Sequence, residues 1–260
     1  MHYEIIGRQD PKAPVILLSA GLGGHGAFWR PQLAMLAASF QVIIYDQAGT
    51  GMSQTVLPEG YSLRDMAEDV VKLLDKLAIG RCFFIGHALG GMIGLELALA
   101  YPARLERLIV VNGWLKLDAH TRRCFELRME LLRNGGGAAY IRAQPFFLYP
   151  ADWLSARDGQ LRQEHEQQVR HFQGSANLQR RLSALMAADF THRLAALITP
   201  VLVISSRDDM LVPWPCSRLL AAALPCAELI EMTYGGHAMS VSNSEVFNDL
   251  LADYLKRHSD

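Results

Sequence analysis

The 260-residue chain is poor in cysteine, and its few cysteines form no CxxC pair and show no spacing typical of metal ligands. Half of its residues are hydrophobic, so it can bury a large core without disulfide bonds. We therefore expect reduced, mostly buried thiols, as in a cytoplasmic protein, with no metal and no cofactor. The cysteines are Cys82, Cys124, Cys216 and Cys226.

An excess of charge is also lacking, because the formal net charge is -1. A small molecule is therefore a better candidate partner than nucleic acid or a membrane surface. No apolar run approaches membrane-spanning length, and residues 1–7 show neither the basic start nor the apolar stretch of a signal peptide, so we expect neither insertion nor export. One local basic cluster is interpreted as solvated helix faces: Arg122, Arg123, Arg128, Arg133, Arg180 and Arg181.

Short apolar runs alternate with helical patterns, which is typical of parallel strands joined by crossover helices. The runs are nearly continuous, as expected for strands buried on both faces. The sequence therefore predicts an α/β fold with a mostly parallel central sheet flanked by helices. The predicted strands are residues 15–20, 41–45, 82–86, 108–112, 201–205 and 227–232.

One helix of this pattern can be delimited from capping signals. Ser62 is a candidate N-cap with Asp65 three residues later, and apolar residues then recur at helical spacing. Gly80 is expected to end this helix in a left-handed conformation. The apolar positions are Leu63, Met66, Val70, Val71, Leu74 and Leu77.

The middle of the chain has a different character. Residues 113–190 mix aromatic and basic side chains at helical periods and contain no buried-strand pattern. We interpret residues 113–190 as an inserted helical lid, here called the lid segment, and residues 1–112 and 191–260 as the core. An amphipathic helix over residues 244–257 is expected to close the core.

A candidate catalytic motif follows the strand at 82–86. Gly86-His87-Ala88-Leu89-Gly90 matches the nucleophile-elbow pattern G-x-S-x-G, except that alanine replaces the serine. The glycines are needed because the turn residue is strained and its neighbours pass close to other backbone. A plain strand-to-helix turn would tolerate the same glycines, so the motif alone leaves both interpretations open.

A candidate acid and a candidate histidine follow two later strands. Asp208 and Asp209 come after the strand at 201–205, and His237 follows Gly235-Gly236 after the next strand. We choose Asp209 as the acid because it lies four residues before Pro213 and so resembles a known family pattern of Asp, two or three residues and Pro at this loop. We expect Asp208 to be its exposed neighbour. Asp209 would fix the tautomer of His237 and leave its second nitrogen facing the elbow.

The loop after the first core strand, residues 19–24, is rich in glycine and occupies the position of an oxyanion loop. By position, the backbone amides of Leu22 and Leu89 are expected to converge on a developing oxyanion. A plain glycine turn is the alternative if the elbow does not face this loop.

Together these features resemble the α/β-hydrolase superfamily over nearly the whole chain. A closer resemblance is to the RutD family of bacterial pyrimidine degradation. The motifs of the lid segment are the specific ones, because the superfamily shares its core and varies its lid. The matching stretches are 86–90 (GHALG), 111–115 (VNGWL), 119–125 (AHTRRCF), 147–153 (FLYPADW) and 234–238 (YGGHA).

This resemblance implies a hydrolase of aminoacrylate or carbamate, and it implies that alanine is the natural residue at position 88. An engineered replacement of serine is the competing explanation. One departure from the superfamily lies in the turn at residues 46–51, where Ala48 replaces the usual arginine of D-x-R-G-x-G.

Without a serine, water must attack the substrate directly, with His237 as general base. Because both candidate substrates are small anions, a cationic or amide donor is expected in the pocket. On position and resemblance the candidates are Asn112, Trp114, Arg122 and Arg123. A monomer or a homodimer is expected.

Three other functions fit the same residues. The chain could be a non-catalytic binding protein in which Asp209 and His237 are relics, or a serine esterase whose nucleophile was replaced. Cofactor-free oxygenation or C–C bond cleavage by the His-Asp pair is also possible on this fold, although no sequence feature singles it out.

Overall fold

The computed structural model describes residues 1–258, and their centre is a sheet of seven strands in the order β1-β3-β2-β4-β5-β6-β7. Strand β1 runs antiparallel to β3, and all the other pairs are parallel. The α/β-hydrolase fold predicted from the sequence is confirmed. The strands are β1 (Tyr3–Gly7), β2 (Val15–Ser19), β3 (Gln41–Tyr45), β4 (Cys82–His87), β5 (Leu105–Val111), β6 (Val201–Ser206) and β7 (Ala227–Met232).

Helices cover both faces of the sheet, and two buried apolar clusters lie between the layers. All six residues of β4 and of β6 are buried, in agreement with their continuous apolar sequences. The helices of the core are α1 (Arg30–Ala37), α2 (Leu63–Lys76), α3 (Leu89–Ala100), α8 (Trp214–Ala223), α9 (Met239–Ser242) and α10 (Ser244–Lys256).

Helix α2 begins as the sequence predicts and ends differently. Ser62 and Asp65 form a complete capping box, in which each side chain accepts a hydrogen bond from the other residue's backbone amide. The left-handed conformation at the C-terminal end is taken by Ala78, with φ 55°, and not by Gly80. The prediction for Gly80 was therefore wrong, because the helix ends one turn earlier, at Lys76.

Four helices lie between β5 and β6, within the lid segment. They are α4 (Ala119–Leu148), which is kinked at Gly136 with φ 70°, α5 (Ala151–Ala156), α6 (Asp158–Arg170) and α7 (Ser175–Met186). A bridge between Lys116 and Asp189 joins the two ends of the segment. That residues 113–190 act as a lid stays a prediction.

Two predictions about burial need correction. Cys82 and Cys216 are buried, but Cys124 is only partly buried and Cys226 is exposed, so the thiols are not mostly buried. Within the basic cluster, Arg128 and Arg181 are buried and not solvated, because each turns toward aromatic and amide side chains inside the protein.

Candidate active site

The predicted acid and histidine meet at the carboxyl edge of the sheet. His237 Nδ1 lies 2.8 Å from Asp209 Oδ2, and both side chains are buried. The other carboxylate oxygen, Oδ1, accepts hydrogen bonds from the amides of Leu211 (2.8 Å) and Val212 (2.9 Å). Both oxygens of Asp209 are thus occupied, and its orientation is fixed from two sides.

This arrangement determines the tautomer of His237. An ionised carboxylate only accepts hydrogen bonds, so Nδ1 carries a proton, and in the neutral form of the ring Nε2 is the nitrogen that keeps its lone pair. Within residues 1–258, no group makes a hydrogen bond to Nε2 of His237. A neutral imidazole held in this way can accept a proton from water, which is the role of a general base.

Asp208 is not the exposed neighbour that the sequence suggests. It is half-buried, and it accepts hydrogen bonds from the amides of Gly235 (3.1 Å) and Gly236 (2.9 Å) and from Ser206 Oγ (2.5 Å). Its carboxylate therefore holds the glycine loop that precedes His237. The two neighbouring aspartates have different roles. Asp209 orients the imidazole of His237, and Asp208 orients the backbone before it.

Asn112, a candidate substrate ligand, uses its side chain inside the protein. Its Nδ2 donates to the carbonyl of His237 at 2.6 Å, and its Oδ1 accepts from the amide of Ser206 at 3.2 Å. Asn112 is buried and has φ 51°, a left-handed conformation that asparagine tolerates better than most residues. The contacts support a positioning role for this residue more than substrate binding.

The elbow has the strained geometry that its sequence predicts. Ala88 lies between β4 and α3 with φ 46° and ψ -108°. A Cβ atom at Gly86 would clash with the backbone of Gly90, and one at Gly90 would clash with the carbonyl of Ser19. Only glycine fits at these two positions, and the turn presents a methyl group where the motif normally has a hydroxyl.

The candidate oxyanion loop lies beside the elbow, because β2 and β4 are neighbours and Ser19 pairs with Gly86. Leu22 is in a turn closed by a hydrogen bond from Gly24 N to Gly21 O (3.0 Å), and Leu89 is the first residue of α3. Within the described part of the chain, neither amide donates a hydrogen bond to protein. Both are thus free to donate to a ligand, and their role in binding an oxyanion stays a prediction.

Sequence analysis overlooked the role of His87. Its Nε2 lies 2.8 Å from the carbonyl of His237, its ring stacks on Phe28 at 4.8 Å between centroids, and its Nδ1 is buried without a partner. Because a carbonyl only accepts, Nε2 carries the proton. Burial, followed by the nearby His237, lowers the pKa of His87 to about 3, so this ring stays neutral. A polar residue at the end of an otherwise apolar strand was the available signal.

The other predicted substrate ligands have different environments. Arg122 and Arg123 are exposed on α4, which does not favour the prediction that either binds substrate. Trp114 is buried, and its Nε1 has no hydrogen-bond partner. Of the candidates, Trp114 therefore has an unused donor in the interior of the protein.

The His237 side chain is nearly closed off from solvent, since it is only 3% exposed. Two cavities adjoin the lid segment, of about 330 and 10 Å³, and neither is lined by Ala88 or His237. Within residues 1–258, no helix has the length and apolarity to cross a membrane, and no cluster of three metal-ligating side chains occurs.

Comparison with known proteins agrees with this geometry. Residues 13–244 match the family model described as alpha/beta hydrolase fold. A protein of Serratia proteamaculans (strain 568) named "Putative carbamate hydrolase RutD" is 55% identical over 255 residues, covering 98% of this chain and 96% of the relative. A protein of the same name from Yersinia enterocolitica is 56% identical over 255 residues, covering 98% and 92%.

Solved structures show the same fold over the full length. The enol-lactonase from Burkholderia xenovorans LB400 superposes with a TM-score of 0.88 at 28% identity, covering 98% of this chain and 96% of the other. A hydrolase from Pseudomonas aeruginosa PA01 has a TM-score of 0.86 at 27% identity, covering 97% and 93%. The chain therefore belongs to the α/β-hydrolase fold family and, within that family, to the RutD proteins.

Proposed function

We propose that this protein hydrolyses a small carbon–nitrogen substrate, carbamate or aminoacrylate, in pyrimidine nitrogen catabolism, and that it does so without a nucleophilic serine. The observation that carries the proposal is the combination of an oriented Asp209–His237 pair with a strained elbow that offers only the methyl group of Ala88. The names of the RutD relatives support a carbamate substrate, and the RutD resemblance adds aminoacrylate.

The reaction begins with a water molecule above Ala88, in the space that a serine hydroxyl would fill. His237 Nε2 takes a proton from this water as the oxygen attacks the carbon bonded to nitrogen. The displaced electron pair moves onto the carboxylate oxygen of carbamate or, in an aminoacrylate whose nitrogen lies on the carbon β to the carboxylate, through the C=C bond onto the carboxylate, and it returns when the carbon–nitrogen bond breaks. The amides of Leu22 and Leu89 stabilise the charge on oxygen when carbamate is the substrate. The imidazolium then returns its proton to the nitrogen, the carbon–nitrogen bond breaks, and ammonia leaves.

The rate that this design can supply limits the choice of substrate. General-base assistance contributes about 100- to 10,000-fold, and alanine cannot form an acyl-enzyme. A labile compound that already decomposes slowly fits such a modest acceleration, whereas a stable amide or peptide does not. Carbamate and aminoacrylate are both labile in this sense.

The same proposal covers the cellular location of the enzyme, its partners and its oligomeric state. We place it in the cytoplasm, because its four cysteines are free thiols. Its partner is a small anionic substrate, with no nucleic acid and no membrane, and the monomer or homodimer expected from the sequence stays a prediction.

The test is release of ammonia and of bicarbonate from freshly prepared carbamate, measured against the uncatalysed rate, and of ammonia alone from aminoacrylate. The wild-type protein should exceed the spontaneous rate, and His237→Ala should lose most of that excess. The matched control is His258→Ala, since this histidine is near the chain end and contacts Glu228 on the surface. Equal rates for the wild type and His237→Ala would leave only a binding function.

A second variant addresses the absent serine. Ala88→Ser restores the family motif, and we expect it to show little acyl transfer from an activated ester, because the RutD resemblance implies that alanine is the natural residue at this position. Rapid release of one equivalent of the ester's leaving group would instead identify a serine hydrolase whose nucleophile had been replaced.

A further inference from the structure

Two arginines of the lid segment are buried and have no anionic partner. Arg128 on α4 is 3% exposed and Arg181 on α7 is 1% exposed. Arg128 donates to Tyr140 Oη (2.5 Å) and Gln144 Oε1 (2.9 Å), and Arg181 donates to the amide oxygens of Gln173 and Gln47. All four acceptors are neutral. Within residues 1–258, no carboxylate forms an ion pair with either arginine.

Such an arrangement is unfavourable by itself. A buried guanidinium loses its hydration, and hydrogen bonds to neutral acceptors offset less of that free-energy cost than an ion pair with a carboxylate does. Burial lowers the pKa of Arg181 to about 10, so it remains charged at neutral pH. Asp69 lines the same small cavity as Arg181, but its carboxylate is bonded to Tyr61 and Lys72.

Arg181 lies against the candidate oxyanion loop. A Cβ atom at Gly24 would stand 2.6 Å from Arg181 Nη1, and Gln47, which accepts from Arg181, donates in turn to the carbonyl of Ala20 at 2.6 Å. Three residues earlier in the same loop, a Cβ atom at Gly21 would lie 2.9 Å from His87 Nδ1. One short loop therefore separates Arg181 from the histidines of the site.

Arg128 adds unused donors at the boundary between core and lid segment. Its Nε is buried without a partner, and so is Nε1 of Trp114. Both residues contact the ring of Phe125, since the guanidinium carbon lies 5.7 Å from its centroid and the Trp114 ring 6.4 Å. Tyr140 connects the two arginines, because its hydroxyl accepts from Arg128 and it acts electrostatically on Arg181.

We propose that Arg128 and Arg181, with the indole N–H of Trp114, form the anion-binding wall of the substrate chamber and select small molecules that carry one carboxylate or carbamate group. This inference rests on the proposed function and identifies its specificity residues. The ligand supplies the negative charge that the two arginines lack, and charge-assisted hydrogen bonds from a guanidinium suit a carboxylate geometrically. Neutral esters and amides lack this charge and are rejected.

The test uses equilibrium binding, so that it does not depend on turnover. Sodium acrylate is a stable three-carbon carboxylate, and acrylamide is its neutral counterpart. Calorimetric titration of the full-length protein should show binding of acrylate and at least tenfold weaker binding of acrylamide. Arg128→Gln and Arg181→Gln should each weaken acrylate binding about 10- to 100-fold, the range for one charge-assisted hydrogen bond. Arg133→Gln, at an exposed arginine of α4, is the matched control and should bind as the wild type does.

Two results would overturn the proposal: equal binding of acrylate and acrylamide by the wild type, or unchanged acrylate binding by both buried-arginine variants. Failure of the proposed function looks different, since acrylate would then bind through the arginines while His237→Ala left ammonia release unchanged. If neither buried variant folds, the melting temperature of the wild type decides. A rise with acrylate that acrylamide does not reproduce supports the anion wall, and no rise, or an equal rise with both, refutes it.

Discussion

The core and the lid segment contain opposite kinds of buried polar groups. In the core, each carboxylate oxygen of Asp209 has a donor, and the carbonyl of His237 receives hydrogen bonds from both Asn112 and His87. In the lid segment, Arg128 and Arg181 are equally buried and lack an anion.

The difference separates two tasks of an enzyme site. A network of several hydrogen bonds holds one imidazole in one orientation, which is what proton transfer requires. An unmatched buried charge is a cost to folding that a ligand of opposite sign can relieve. The core half of the site, made of Asp209, His237, Asn112 and His87, is therefore in place before substrate binds. By our proposal the substrate completes the lid half, made of Arg128 and Arg181.

The largest effect should come from breaking the core half. Asp209→Asn keeps the shape of the side chain, but its amide no longer requires the proton on His237 Nδ1, so Nε2 loses its role as base. We expect kcat to fall about 100- to 10,000-fold with acrylate affinity unchanged. Steady-state ammonia release and calorimetric binding together measure the two halves separately.

The control for this prediction is Asp249→Asn, at an exposed carboxylate of α10, which should leave both quantities unchanged. A parallel loss of acrylate affinity in Asp209→Asn would show that proton transfer and anion binding are not carried by separate halves of the site.

The core half could be predicted because each of its parts is encoded within a few residues. The elbow glycines, the strand before Asp209 and the loop before His237 are local patterns that specify position at the sheet edge. The choice of Asp209 over Asp208 agreed with the geometry, although Asp208 was wrongly expected to be exposed.

The lid half could not be predicted, because burial of an arginine is decided by distant contacts. Arg181 meets Gln47 from a loop 134 residues earlier in the chain, and in sequence it is indistinguishable from its neighbour Arg180. In most proteins, charged residues at helical spacing lie on the solvent-exposed face of a helix. That general rule assigned Arg128 and Arg181 to the surface. Arg122 and Arg123 were nominated by motif likeness, and they are the exposed ones.

A second comparison concerns rigidity in the two regions. Gly90→Ala should destabilise the protein by about 3 kcal/mol or more, because the added Cβ meets the carbonyl of Ser19 and neither backbone can move freely. Gly159→Ala, in α6 of the lid segment, adds a methyl group to open space and should stabilise by about 0.5 to 1 kcal/mol through helix propensity. Urea denaturation of both variants measures the contrast, and similar values for the two would contradict it.

A third comparison tests whether Arg181 of the lid segment truly lacks a partner that compensates its charge. Arg193 donates through both terminal nitrogens to Glu96, whose carboxylate is buried, so Arg193→Met should cost about 2 kcal/mol by leaving that charge unpaired. Arg181→Met leaves no carboxylate unpaired, and its stability should equal or exceed that of the wild type in buffer without carboxylates. Thermal denaturation checks both, and a loss at Arg181 as large as that at Arg193 would mean that its present contacts already satisfy it.

The smallest expected effect concerns His87, which ties the core half to the catalytic loop. Its pKa is lowered from 6.5 to about 3 by burial, so between these pH values the unfolded chain binds a proton here that the folded chain does not. The free energy of unfolding should therefore fall with decreasing pH by up to about 1.4 kcal/mol per unit from this group.

His87→Gln removes that titration while keeping a donor for the carbonyl of His237, so it should lose less stability than the wild type on acidification. Urea denaturation at pH 7, 6 and 5 measures the difference. Stability curves that stay parallel across this range would mean that His87 reaches solvent in the folded protein. The network around His237 would then be open to water and would lose the closed character that distinguishes it from the lid half.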